Sequence, residues 1–181
     1  MRKGFTLVEI VVAVSLMTAM SGVMMAQYSQ FNRRQSVNMA TDRIAQVMAE
    51  ARVNAQSGKK DCYVCGGAAH DCNNNSDDSI LNGWRVSINP TPGPGNVPPG
   101  VTNGYRIEGI CGTTSFFVRD QQFPNNVVIS TQGGVRAVTF LPVNGGTNLN
   151  YPNLLYVDVD AANGSSSDGF MVSEEGEIAF P

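Results

Sequence analysis

The chain has 181 residues, 42% of them hydrophobic, with 12 Lys and Arg against 15 Asp and Glu and a formal net charge of −3. That balance disfavours a polyanionic partner such as DNA, which proteins bind through dense positive charge. The length leaves room for one domain of ordinary size beyond a membrane anchor, and the apolar content is adequate for a core that folds on its own.

The chain opens on a short basic leader, Met1-Arg2-Lys3-Gly4, which runs into an apolar stretch from Phe5 to Ala26 whose only charge is Glu9. As a helix, this stretch is about 30 Å long, enough to cross the hydrocarbon of a bilayer. A carboxylate there costs a few kcal/mol and needs a partner or a role. Its own helix offers Glu9 no cation.

The string Lys3-Gly4-Phe5-Thr6-Leu7-Val8-Glu9 resembles the leader and cleavage site of the type IV pilin superfamily, which comprises pilins, minor pilins and the pseudopilins of type II secretion. The resemblance implies that prepilin peptidase cuts after Gly4 and methylates Phe5, and that Glu9 is the assembly glutamate. It also implies insertion in a bacterial inner membrane as a single span, then assembly with other pilins or pseudopilins. Removing Arg2 and Lys3 leaves 10 basic residues against 15 acidic, a mature charge of −5. Cleavage creates a cationic amine on Phe5, so a lipid-buried Glu9 can meet the amine of a neighbouring subunit where opposite charges attract more strongly than in water. Two other readings use the same residues: a signal peptide cut before Gln27, or an uncut anchor beginning at Met1. The basic leader residues Arg2 and Lys3 precede the span and all four cysteines follow it, which places the body outside the cytoplasm.

From Gln27 to Ser57 there is no Pro or Gly, and Val37, Ala40, Ile44, Val47, Met48, Ala51 and Ala55 recur at helical spacing as one apolar stripe. Arg33, Arg34, Asn38, Asp42, Arg43, Glu50 and Arg52 form a solvated face, and Ser57-Gly58 is a stop signal. Many pilins carry a proline in the second half of the span; this chain has Ala26 there, and Gly22 is its one weak helical position. Residues 58–83 read as a polar loop holding Cys62, Cys65 and Cys72, and Asn89 to Gly104 as a Pro/Gly-rich surface loop. Eight β-like runs are predicted: Trp84 to Ile88, Tyr105 to Ile110, Ser115 to Arg119, Val127 to Ser130, Arg136 to Leu141, Leu154 to Val159, Phe170 to Ser173 and Glu177 to Phe180. The expected fold is α+β, the pilin fold, with a leader (1–4), a transmembrane helix (5–26), an amphipathic spine (27–57), a cysteine loop (58–83) and an antiparallel β head (84–181).

The end of the chain is similar to the H-type minor pseudopilins and the FimT/FimU-like minor pilins. The likeness rests on Val138-Thr139-Phe140 followed by Gly145-Gly146, the strand Leu154 to Val159, Phe170-Met171-Val172-Ser173 and Gly176-Glu177-Ile178, with Ala49 to Ala55 on the spine. FimT-like proteins in some bacteria bind DNA through basic residues at the terminal glycine turn. Here that turn holds Glu174, Glu175 and Glu177 and no arginine, so direct nucleic-acid binding is not expected.

Cys62-x2-Cys65-x4-His70 matches three ligands of a zinc knuckle, but the next cysteine, Cys72, stands only two residues past His70. Thioredoxin-like exchange would place Cys62-x2-Cys65 at a helix start, whereas Gly66-Gly67 argues for a loop. Two disulfides among Cys62, Cys65, Cys72 and Cys111 are the expected arrangement, with Cys111 pinning one loop cysteine to the sheet; spacing does not choose the pairing. Calcium is the other cation considered, at the acidic stretches Asp71 to Asp78 and Asp158 to Asp168, neither of which fits an EF-hand. No serine or acid is patterned beside His70, and no enzyme is expected. The predicted role is a minor subunit that initiates or modifies a pilus or pseudopilus filament. The alternatives are a type II secretion pseudopilin driving export and a pilus subunit for adhesion or DNA uptake.

Overall fold

A computed structural model describes residues 6–66, 80–90, 103–142, 146–149 and 154–180, with the backbone alone at 23–26 and at Phe117. Helix α1 runs without interruption over Leu7–Gln56. In its first half, Ser15, Thr18 and Ser21 donate their hydroxyls to the carbonyls of Val11, Val14 and Met17. Those side chains are thereby satisfied inside the helix. The helix stops at Gly58, whose φ of +65° suits a residue without a side chain. Gly58 N–H bonds to Ala55 O and Lys59 N–H to Asn54 O, closing the last turn.

All seven residues of the predicted stripe are buried, none more than 3% exposed. They pack on two four-stranded antiparallel sheets. The first has the order β3-β2-β1-β5, from β1 (Leu81–Ile88), β2 (Gly104–Cys111), β3 (Thr114–Gln122) and β5 (Ala137–Phe140). The second has the order β4-β6-β7-β8, from β4 (Val127–Gln132), β6 (Leu155–Ala161), β7 (Ser167–Val172) and β8 (Ile178–Ala179). The chain enters the second sheet at β4, returns to the first at β5 and ends in the second, so neither sheet forms from one continuous segment. Helix α1 lies against β1 of the first and β6 and β7 of the second. Each predicted β run holds a strand, with bounds moved by a few residues.

Trp84 is 1% exposed, donates its indole N–H to Lys59 O at 2.8 Å and meets Phe116 edge-on, with ring centroids 5.4 Å apart. Gly109 makes this pair possible. A Cβ there would stand 2.0 Å from the Phe116 ring, so the ring occupies the place of a missing side chain.

Two asparagines join the sheets. Asn89 and Asn103 flank the β1–β2 connection with φ of 47° and 58°, a backbone region that asparagine tolerates better than most residues. Asn103 Oδ1 accepts from Ile129 N–H at 3.0 Å, while its Nδ2 donates to Val127 O at 2.6 Å. Asn89 Nδ2 donates to Ile129 O at 2.8 Å. The open edge of β4 is thus paired by side chains from the ends of the β1–β2 connection, which blocks pairing with a foreign strand. At the edge of β5, Asn148 does the same, accepting from Thr139 N–H at 2.7 Å and donating its own N–H to Thr139 O at 3.0 Å.

The loop expected at 58–83 needs correction. The expected loop 58–83 contains a helical turn, α2 (Cys62–Cys65), because Asp61 caps it by accepting from Tyr63 N–H at 2.9 Å, and β1 already begins at Leu81. The acidic stretch from Asp158 to Asp168 is the end of β6, a turn and the start of β7: Asp158, inside the predicted run, lies in β6 with Asp160, and Asp168 lies in β7. Alternation along the half-exposed sheet puts these polar residues inside strands. The Cys62-x2-Cys65 pair therefore sits on a helical turn, but Cys65 bonds to Cys111 in β2, 46 residues away, with a Cα–Cα distance of 5.4 Å.

Asn103→Ala is expected to lower the unfolding free energy by about 2 to 3 kcal/mol, since it strands the Ile129 N–H and the Val127 carbonyl. Urea unfolding followed by the fluorescence of Trp84, the sole tryptophan, measures this; a loss under about 0.5 kcal/mol would show that the edge is held by something else. Replacing both Cys65 and Cys111 by Ser should cost about 4 kcal/mol, the chain-entropy value for a loop of this length. Unchanged unfolding midpoints with and without reductant would count against that linkage.

Candidate functional site

The helix start is built by Thr6. Its φ of −78° and ψ of 150° lie outside the helix, and its Oγ1 accepts from Glu9 N–H at 3.3 Å. Its carbonyl accepts from Glu9 N–H at 3.1 Å and Ile10 N–H at 3.3 Å. Thr6 is thus the N-cap and Glu9 the third helical residue, the Thr-x-x-Glu spacing of a capping box. A first-turn carboxylate also sits favourably at the positive end of the helix dipole. This cap escaped the sequence reading, although the spacing was there to signal it.

Leu7, Val8, Ile10, Val11 and Val12 around Glu9 are 52% to 79% exposed. The most apolar 18-residue window of α1 has a mean hydropathy of 2.0, and none of it is buried inside the chain. Glu9 is exposed on this surface, and among the described residues its carboxylate has no hydrogen-bond or ion-pair partner. The arrangement is a lone acceptor on an apolar rod, able to take a charge-assisted bond from a cation outside the chain. Gly4 and Phe5 lie outside the described residues.

Three ion pairs brace the head and join it to the spine. Arg106 grips Asp120 through two bonds of 2.8 and 2.9 Å, and this hydrogen bonding raises the arginine pKa, so Arg106 remains cationic wherever the fold exists. Arg85 pairs with Glu108 at 2.6 Å on the same face. Arg119 in β3 reaches Glu50 of the spine at 2.7 Å, and that bond raises its pKa too. Beside it, Tyr105 donates its hydroxyl to Gln121 Oε1 at 2.8 Å.

The cysteine and acidic motifs resolve differently. Cys62 and Cys65 are both disulfide-bonded, which leaves neither sulfur free as a zinc ligand or an exchanging thiol. Cys72, His70 and the stretch Asp71 to Asp78 lie outside the described residues. Asp158 accepts from Gln132 Nε2 at 2.7 Å, Asp168 accepts from Gly169 N–H, and among the described residues no three His, Cys, Asp or Glu converge on one point. At the terminal turn, Gly176 has a φ of +76°, and Glu174, Glu175 and Glu177 face solvent.

No protein-family model and no curated protein matches the chain. Among solved structures it is similar to the crystal structure of the type IV minor pilin FimU of Pseudomonas aeruginosa. The TM-score is 0.50 at 15% identity, covering 80% of this chain and 91% of that one. A likeness at this identity speaks to architecture: the chain has the pilin fold, an N-terminal helix of 50 residues carrying an antiparallel β head.

Proposed function

We propose that the chain is a minor subunit of a type IV pilus or of a type II secretion pseudopilus. In this reading it is inserted in the bacterial inner membrane, cut by prepilin peptidase after Gly4, methylated on Phe5 and assembled with other pilins through α1. The observation that carries the reading is the first half of α1, a membrane-length apolar rod that the chain leaves uncovered and that bears one unpartnered carboxylate, Glu9. Burial of that rod first in lipid and then among neighbouring helices answers its exposure, and a neighbour's Phe5 amine answers Glu9. The likeness to FimU supports the subunit class. The buried Cys65–Cys111 linkage supports a head outside the reducing cytoplasm. The role requires no catalysis, cofactor, metal or direct nucleic-acid contact. Export through a secretion system and adhesion or DNA uptake by a pilus are the second readings. The composition of the filament that takes up the chain distinguishes them.

Mass spectrometry of the mature chain should find it beginning at a methylated Phe5; a start at Gln27 or Met1 would sink the processing step. Glu9→Ala should leave insertion and cleavage intact while reducing incorporation into sheared filaments tenfold or more, from the roughly 1.5 to 3 kcal/mol of a hydrogen bond to a charged group. Glu9→Gln should fall with it, since it keeps the shape and loses the charge. Thr6→Val removes a cap worth about 1 kcal/mol without touching the carboxylate, so it should reduce incorporation only about fivefold. Equal incorporation of all three variants and wild type would refute Glu9 as the assembly residue.

A further inference from the structure

We infer that the turns of α1 between the apolar rod and the head, Tyr28 to Arg34, form a membrane-interface collar that recognises the phosphates of anionic lipids and sets the height of the head. The inference rests on the membrane reading above. Between Glu9 and Asp42 the only charged residues are Arg33 and Arg34. Both are exposed, and among the described residues neither has a hydrogen-bond or ion-pair partner, unlike Arg85, Arg106 and Arg119 of the head. Their helical neighbours three and four residues away are uncharged, so no anion within the spine can serve them. Any anion that pairs with them therefore comes from outside the spine.

Position identifies it. Tyr28 and Phe31, 67% and 63% exposed, stand two and five residues beyond Ala26, or about 3 and 8 Å further along the helix. The polar layer on each side of a bilayer is about 5 to 8 Å deep, so both rings fall at the depth where aromatic residues collect. Arg33 and Arg34 follow at about 11 and 12 Å, where flexible side chains reach back to the phosphates. The first core residue, Val37, is one turn above Arg33 on the same face, which seats the underside of the head directly over the headgroups. Basic residues next to a span attract anionic lipid by about fivefold each, or about thirtyfold for two.

The test uses the full mature chain reconstituted in vesicles, with Tyr28→Trp as a depth probe and the buried Trp84 as a constant background. Bromines near the carbonyl end of the acyl chains should quench the new tryptophan more than bromines near the methyl end. At equal mole fraction, brominated phosphatidylglycerol should quench it more than brominated phosphatidylcholine, and adding Arg33→Gln and Arg34→Gln should make the two lipids equal. Inorganic phosphate at constant ionic strength should leave the preference in place; its loss would assign the arginines to free anions and overturn the lipid source. Equal quenching by both lipids in the parent, with Arg33→Gln and Arg34→Gln lowering only filament incorporation, would assign the pair to a neighbouring subunit instead. A tryptophan unquenched in vesicles from which carbonate does not extract the chain places the collar clear of lipid and overturns the inference while sparing the span. Extraction by carbonate overturns both.

Discussion

One uninterrupted helix carries two different surfaces, and the rest of the molecule depends on it. Over its first half, α1 is apolar on every side and finds no cover among the described residues of its own chain. Over its second half, the apolar residues narrow to a single stripe, and two sheets close over that stripe. A helix apolar all round belongs in a lipid-like surrounding, whereas a helix with one apolar stripe belongs at the surface of a folded core. The change in pattern, falling between Ala26 and Val37, therefore divides anchor from head without any break in the backbone.

The head is constructed to hold that arm firmly. Interleaving β4 and β5 between the sheets means that neither can leave α1 alone, and Asn89 and Asn103 fasten the β4 edge with backbone-like bonds. The disulfide ties α2 to β2 close to where Trp84 closes over Lys59 O, just after the helix stop. The Glu50–Arg119 pair joins spine to edge strand from the other side. Exposed pairs of this kind contribute little on their own. Burial of the stripe, at about 25 cal/mol per Å² of apolar surface, carries most of the attachment.

In the proposed role, these properties divide the work between the two ends. The apolar rod with Glu9 supplies self-association and register, because an unpaired carboxylate in lipid gains most from a cation held at one geometry. The collar of Tyr28, Phe31, Arg33 and Arg34 supplies position relative to the membrane before assembly.

Much of this was legible in the residues. The seven-residue stripe, the stop at Ser57-Gly58 and the eight strands follow from periodicity and from glycine's backbone freedom, both local properties of the chain. The leader-like string and Glu9 stood out because a charge in an apolar run is locally anomalous. Other features were settled only by the tertiary structure. Cys65 rather than Cys62 or Cys72 meets Cys111, because the turn capped by Asp61 points that one sulfur at β2. Asp160 and Asp168 join strands because β6 and β7 pair with each other, and Asn89 and Asn103 reach across to a strand 24 to 40 residues away in sequence. Local patterns record what each segment prefers to bury. Which segments come to lie side by side depends on contacts between distant residues, which a linear sequence does not display.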